Sequence, residues 1–334
     1  MKRIILAICL FFFLSCHERK EYPPVQNTQI YMDTYVTIMI FDRKFDEELT
    51  KRRMEKAFDE IGHLEKIGNV HSDSSELYFI NERAGIEPVK ISAELKNIIN
   101  NSLKYCKMTD GAFDISVFPI EELWDFLAEN PRIPDKEEIE ERLPLVNFRN
   151  IVFNNNEIYF KIDGMGIDPG GFLKGYAIDR AVSILKDDGF RKFIVNMGGD
   201  MGIYVVDDDT ATIKIQDPRD NYGFWGKFQI NQGSVATSGD YERYFEIDGV
   251  RYHHIINPAT GYPESDCVSV TIVTKEAELA DAMATGIFVM GSKKGMDFIN
   301  NNRNIEGVII CRDGGNLKSL ISNGMVEKYR YMEF

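Results

Sequence analysis

Residues 254–291 constrain this chain more than any other stretch. They read HIINPATGYP, then a strand-like CVSVTIVT, then EAELADAMATGIFVMG. A histidine stands beside a Pro/Gly turn, and a helical pattern follows. In that pattern Asp281 and Thr285 lie four residues apart, so they share one helix face. Their neighbours Ala280, Ala282, Met283, Ala284, Ile287 and Phe288 are apolar. A carboxylate in such surroundings needs a partner. A carboxylate and a hydroxyl together make a small oxygen-rich patch, the kind of ligand set a hard cation such as Mg²⁺ takes together with phosphate oxygens. A solvated helix face is the plainer alternative for the pair, as simple packing is for His254. His253 precedes it in what reads as a strand, and alternation sends the two side chains to opposite faces.

The chain must be large enough to build a site around this stretch. It has 334 residues, of which 44% are hydrophobic and 12% aromatic, ample for a packed core. Its formal charge is −14, and no basic stripe appears along it. That excludes a general nucleic-acid binder, which needs clustered Lys and Arg to neutralise phosphates.

The first residues read as an address. Lys2 and Arg3 precede an apolar run at 4–14 that is too short to span a bilayer as a helix. The run ends at Leu14-Ser15-Cys16, similar to a bacterial lipobox. Residues 1–15 are therefore expected to be a lipoprotein signal peptide, with lipid on Cys16 tying the chain to a membrane on the periplasmic side and residues 16–29 as a tether; an ordinary signal peptide or an uncleaved anchor is the plainer alternative. Loss of Lys2 and Arg3 would take the charge from −14 to −16. Cys106, Cys267 and Cys311 remain, without a CxxC pattern, so neither a disulfide framework nor a zinc site is expected.

Along the rest, β-branched and aromatic residues predict a strand over 30–41. Helical periodicity covers 46–67, and again 92–108 with Ser92 as N-cap. A short helix is expected within 109–126 and an acidic one over 136–142. Residues 150–163 read as a hairpin turning at 154–156, and a Gly-rich loop at 164–175 feeds a helix. Further strands are expected at KFIVNMGGD, ATIKIQDP, KFQINQG, the Asp248-Gly249 hairpin and GVIICRDG, with a terminal strand pair closing the chain. Helices and strands mix without regular βαβ alternation, which favours α+β over a Rossmann sheet.

Several motifs carry possible chemistry. Gly170-Gly171-Phe172-Leu173-Lys174-Gly175 opens a helix, where backbone N–H groups and the Lys174 ammonium could meet phosphate. It matches neither phosphate-loop consensus, so a structural turn is equally open. NMGGD at 196–200 and TSGD at 237–240 could each be a tight turn or part of a ligand cradle.

Taken together and in order, MDTYVTI, SEL…IN, GAFDISVFP, IDPGGFLKGYAIDRA, NMGGD, SVATSGDY, HHIINPATGYP and ADAMATGIFVMG resemble the FAD:protein FMN transferases, the ApbE-like flavin transferases, from about residue 30 to the C-terminus. The resemblance implies one flavin transferase domain over 30–334, built of two intertwined lobes. Its fold class is α+β: mixed or antiparallel sheets with flanking helices, related to the T-fold, with the ligand cleft between lobes. It implies FAD as substrate, Mg²⁺ as cofactor, and as partner an acceptor protein, a subunit or domain of an exported redox complex. FMN would pass to a Thr or Ser hydroxyl, and AMP would leave. Hydrolysis of FAD to FMN and AMP at the same site, or flavin binding without chemistry, are the alternatives.

Residue by residue, the resemblance makes His254 the base for the acceptor hydroxyl. It makes Gly171 (through its carbonyl), Asp281 and Thr285 the metal ligands, and Lys174 a charge at the phosphates. Met32, His71, Ala112, Phe113, Asp114, Asp168 and Ile255 match positions that line the flavin and adenine pockets. Three departures stand out. Asp33 replaces a glycine usual in the family. Pro169 and Leu173 replace an apolar and a small residue. His71 falls at a ring-stacking position that varies.

Overall fold

The computed structural model describes residues 23–42, 45–126, 128–206 and 209–334. The expected signal peptide and Cys16 lie outside the described residues. In chain order the elements begin with β1 (Val25–Tyr31), β2 (Thr34–Ile40), α1 (Glu47–Gly68), α2 (Glu76–Arg83), β3 (Val89–Lys90) and α3 (Ala93–Met108). Next come α4 (Phe118–Trp124), α5 (Lys136–Arg142), β4 (Ile151–Asn154), β5 (Glu157–Phe160), α6 (Gly170–Asp187), β6 (Lys192–Met197) and β7 (Asp200–Val205). Then follow β8 (Ala211–Gln216), β9 (Phe224–Ile230), β10 (Gln232–Gly239), β11 (Tyr244–Ile247), β12 (Val250–His253), β13 (Cys267–Thr274) and α7 (Ala277–Met290). The chain ends with α8 (Ser292–Asn301), β14 (Glu306–Asp313), β15 (Asn316–Ile321), α9 (Asn323–Glu327) and β16 (Met332–Glu333).

The architecture is α+β. An eight-stranded sheet runs in the order β1-β2-β6-β7-β10-β13-β14-β15, and all its strand pairings are antiparallel. One face packs on helices: Val270 and Ile272 of β13 share a hydrophobic cluster with Phe172 and Ala177 of α6 and Ala280 and Phe288 of α7. The other face packs on the small sheet β16-β9-β8, through Val235 and Val273 against Ile213 and Phe228. Every residue of β13 is therefore buried, which explains why CVSVTIVT reads as an unbroken apolar-and-small run instead of alternating. A third, smaller cluster joins α4 and α5 to the β11–β12 hairpin and the loop that follows it.

Two expectations near the N-terminus change. The strand over 30–41 is broken at Met32 and Asp33, both with positive φ (49° and 58°), into a two-residue hairpin closed by the Tyr31–Thr34 pair. Two left-handed central residues are the turn chemistry that fits twisted strands, and β-branched residues on both sides hid it. The expected tether is shorter than 16–29, because residues 25–29 pair with residues 36–40 in β1 and β2. At the other end the terminal strands do not pair with each other. β15 pairs with β14, and β16 adds to β9. The helices expected at 46–67, 92–108 and 136–142 are present, with Asp46 and Ser92 accepting the N3 amides of Leu49 and Leu95. Helices α2, α8 and α9 had no sequence expectation.

Candidate active site

The site is built where α6 and α7 touch. Gly175 is the point of closest approach: a Cβ there would stand 2.7 Å from the carbonyl carbon of Ala277 and 2.8 Å from Cβ of Asp281. Only glycine allows that spacing. At the same point α6 is irregular, with Gly171 at φ −79°, ψ 18°. In a regular helix the Gly175 N–H bonds the Gly171 carbonyl. Here it donates to Asp281 Oδ2 at 2.9 Å. Thr285, one turn along α7, lies against Gly171: its Oγ1 would be 3.2 Å from a Cβ placed there, and it shares a 3.2 Å hydrogen bond with Ser238 Oγ of β10. Gly171, Asp281 and Thr285, the three residues that the resemblance names together, thus lie at one locus.

Lys174 ties this patch to the sheet. Its Nζ lies 3.4 Å from Asp281 Oδ1 and 3.3 Å from Asp200 Oδ2, between two buried carboxylates. Burial opposes the ammonium charge, but Asp281 and Asp200 outweigh it and push the Lys174 pKa up. The Asp200 carboxyl is raised to about 6, chiefly by burial, with Lys174 pulling it down and Asp281 pushing it up. Its Oδ1 accepts the Thr237 amide at 3.0 Å. The 196–200 and 237–240 segments therefore meet at the site's floor.

The two histidines divide their roles. His253 ends β12. Its Nε2 sits 2.6 Å from the Glu264 carbonyl oxygen and must donate; its Nδ1 accepts the Ile255 amide at 3.3 Å. Both nitrogens are used, and the ring packs edge-on to Phe288. His254 has left the strand, is half-buried, and its Nδ1 has no hydrogen-bond partner. Burial first, then the positive charges of Arg243 and Lys174, lower its pKa to about 3. His254 is consequently neutral at ordinary pH, with a lone pair to offer. A small aromatic cluster holds the loop behind it: Trp124 donates to the Gly261 carbonyl at 2.8 Å and stacks on Tyr252.

The remaining expected residues fall into two groups. Asp168 belongs to the site: its Oδ1 accepts the Gly170 amide at 2.7 Å, and its carboxyl is raised by burial against the pull of that amide, His71, Arg243 and Lys174. His71 is exposed and close enough to act on Asp168. Phe113 is wedged between Gly171 and Gly286, with half-buried Ala112 beside it. Ile255 is buried next to His254. Met32 sits in the β1–β2 turn, its amide bonded to Glu65 Oε1 at 2.6 Å. Asp114, by contrast, is spent on the fold. Its Oδ1 accepts the amide and hydroxyl of Ser116 and its Oδ2 the amide of Phe148. That carboxylate braces the loop carrying Phe113.

Two residues had no sequence signal. Arg243 forms no ion pair among the described residues, although its charge reaches Asp168 and His254. Glu121 reads in the sequence as one more acidic residue of a short helix. Among the described residues no group of three or more His, Cys, Asp or Glu is arranged to hold a metal. The expected ligand set does not need one, since Mg²⁺ is commonly held by one or two carboxylates and completed by substrate phosphate. The Asp281 carboxylate, the Thr285 hydroxyl and the Gly171 carbonyl at the irregular start of α6 fit that chemistry.

With this geometry in view, comparison with known proteins is specific. The model of the ApbE family matches residues 32–309. An FAD:protein FMN transferase of Klebsiella pneumoniae is 30% identical over 272 residues, covering 80% of this chain and 84% of that protein. One from Treponema pallidum is 27% identical, covering 99% and 96%. Among solved structures, the ApbE protein of Thermotoga maritima superposes with a TM-score of 0.82 at 32% identity, covering 90% of this chain and 98% of that one. The flavin transferase ApbE of Vibrio cholerae gives 0.79 at 25% identity, covering 91% and 99%.

Proposed function

The chain belongs to the ApbE family and is a flavin transferase; we propose that it moves FMN from FAD to a Thr or Ser hydroxyl of an acceptor protein, releases AMP, and requires Mg²⁺. The observation that carries this reading is the single locus where Asp281, Thr285 and Gly171 converge with Lys174, beside a neutral His254 whose Nδ1 is unpartnered.

The transfer balances as follows. The acceptor hydroxyl oxygen forms a bond to the FMN phosphorus, the bond from that phosphorus to the bridging pyrophosphate oxygen breaks, and AMP leaves with that oxygen. His254 takes the hydroxyl proton, a role for which a neutral imidazole is suited. Its low pKa follows first from burial and then from nearby positive charge; a bound pyrophosphate, being negative, would offset the second cause, the charges of Arg243 and Lys174, and raise the basicity of the ring. Lys174, held by Asp200 and Asp281, presents a fixed positive charge to the phosphates. Asp281, Thr285 and the Gly171 carbonyl would hold Mg²⁺, which when bound neutralises phosphate charge as it builds. Positioning and charge supply most of the catalysis in phosphoryl transfer.

The acceptor is proposed to be a subunit or domain of an exported redox complex, and the enzyme a lipoprotein anchored through Cys16 on the periplasmic side. Support comes from the charged, apolar and Leu-Ser-Cys pattern of residues 2–16. Incorporation of labelled palmitate that disappears in Cys16→Ser tests the anchor.

Incubation of the protein with FAD, Mg²⁺ and an acceptor domain tests the reaction. An FMN-sized mass increase on the acceptor, with AMP in stoichiometric amount, is expected. FMN and AMP with an unlabelled acceptor would replace transfer by hydrolysis. Tight FAD binding without turnover would leave a flavin-binding protein.

A further inference from the structure

Helix α4 is wedged between the two arms of the site. On one side, the residues leading into it hold the Asp168 arm: the Ile115 carbonyl accepts the Asp168 amide at 2.7 Å, and the Phe118 ring lies against Gly166. On the other side, Trp124 bonds the Gly261 carbonyl, and Ile120 reaches the same glycine. Glu121 lies three residues from both Phe118 and Trp124 and so shares their side of the helix. Its Oε2 is buried and has no hydrogen-bond partner. Two charges act on it: Asp168, which repels it, and Arg243, whose carbonyl oxygen accepts the His254 amide at 3.0 Å. Burial first, then Asp168, raises its carboxyl well above the usual range.

A buried acceptor left without a donor lowers stability, and here it stands between the Asp168 and His254 arms of the candidate site. We propose that Glu121 is a substrate-binding residue whose free carboxyl oxygen accepts a hydrogen bond from a hydroxyl or N–H group of the flavin nucleotide lying between the Asp168 and His254 arms. This rests on the reading of the site as an FAD site. FAD offers such donors in both halves: the ribityl hydroxyls and flavin ring N–H on the FMN side, and the ribose hydroxyls and adenine amino group on the AMP side.

The test measures dissociation constants of the full chain for FAD, FMN and AMP, in wild type, Glu121→Leu and Glu121→Gln, together with Tm. Glu121→Leu removes the acceptor and also the cost of burying an unpartnered carboxyl. FAD affinity should fall about tenfold or more, while Tm stays level or rises. One mononucleotide, FMN or AMP, should weaken by the same factor and so locate the donor. Glu121→Gln, which keeps one acceptor oxygen, should retain more affinity than Glu121→Leu. Unchanged FAD affinity in Glu121→Leu, equal losses for both mononucleotides or for neither, or a loss accompanied by a lower Tm would overturn the assignment. Failure of the wild type itself to bind FAD would instead overturn the reading of the site. Normal binding by wild type and Glu121→Leu alike would remove Glu121 alone.

Discussion

Gly175→Ala sets two known magnitudes against each other. In an ordinary helix interior the change favours folding by roughly 0.8–1 kcal/mol. At this position the added methyl would meet the Ala277 carbonyl carbon at 2.7 Å and Asp281 Cβ at 2.8 Å. Comfortable carbon contacts lie near ~3.5–4.0 Å. Backbone cannot turn aside as a side chain can, so α6 and α7 must part by roughly 1 Å, and overpacking of this kind costs about 1–3 kcal/mol. The clash outweighs or cancels the propensity gain, and stability should fall by up to about 2 kcal/mol. The larger effect is on the site. The 2.9 Å bond from the Gly175 amide to Asp281 Oδ2 stretches beyond hydrogen-bonding range, and the Lys174–Asp281 contact, already 3.4 Å, opens with it. A misplacement of about 1 Å can reduce a rate by ~10²-fold. Flavinylation rates followed by mass increase on an acceptor domain, with a Mg²⁺ titration and a thermal melt of each protein, check this. Transfer should drop by about two orders of magnitude with a higher Mg²⁺ requirement. A variant that is more stable than wild type and transfers at the wild-type rate would refute the idea that helix spacing sets the site.

His254→Ala should leave FAD binding nearly intact while removing transfer; an unchanged rate would exclude it as the base. Asp281→Ala should abolish transfer at every Mg²⁺ concentration, and persistence of Mg²⁺-dependent activity would move the metal elsewhere. His253 and His254 both have folded pKa values below their ordinary 6.5. The unfolded chain therefore binds their protons first, and the histidines' contribution to stability should decline as pH falls below about 6.5, while Asp200, with its raised carboxyl, acts with the opposite sign; a denaturant series from pH 7 to pH 4 on wild type and a double Gln variant isolates the histidines, and a constant difference between the two through pH 5 would contradict the shifts. Asp33→Val should cost about 1–2 kcal/mol, because a β-branched residue fits the left-handed turn poorly. Asp33→Gly should stay within roughly 0.5 kcal/mol of wild type, the strain relieved being offset by chain entropy; a melt of each decides.

Asp33 also shows why a departure from the family pattern can be benign. The usual glycine falls at φ 58°, where aspartate is among the few side chains that sit without much strain. Its side chain is exposed on the turn. The sequence reads correctly wherever one physical cause dominates. The 3.6-residue spacing in α1 and α3, with Asp46 and Ser92 as caps, leaves little alternative. The unbroken run in β13 needs a strand covered on both faces. Reading fails where the cause is tertiary. Nothing local marks 30–41 as two strands, since the turn carries no glycine and its two left-handed residues are held by the β1–β2 ladder.

The site divides along the same line. Asp281 and Thr285 were legible as a pair because one helix presents both, and an acid among alanines demands a partner. Strand alternation says only that His253 and His254 differ, and the choice of His254 comes from the resemblance alone. The answer depends on Glu264, whose carbonyl occupies His253 and leaves His254 free. Asp114 stands beside Phe113 in sequence, and only the structure shows its carboxylate bonded to Ser116 and Phe148. Glu121 was invisible because a carboxylate on a short acidic helix is ordinarily solvated, and only the packing of α4 between two loops strips its oxygen of water. Function here is written in which polar atoms the fold satisfies and which it leaves for a substrate, and pairing of that kind is a property of three-dimensional neighbours that a linear pattern does not record.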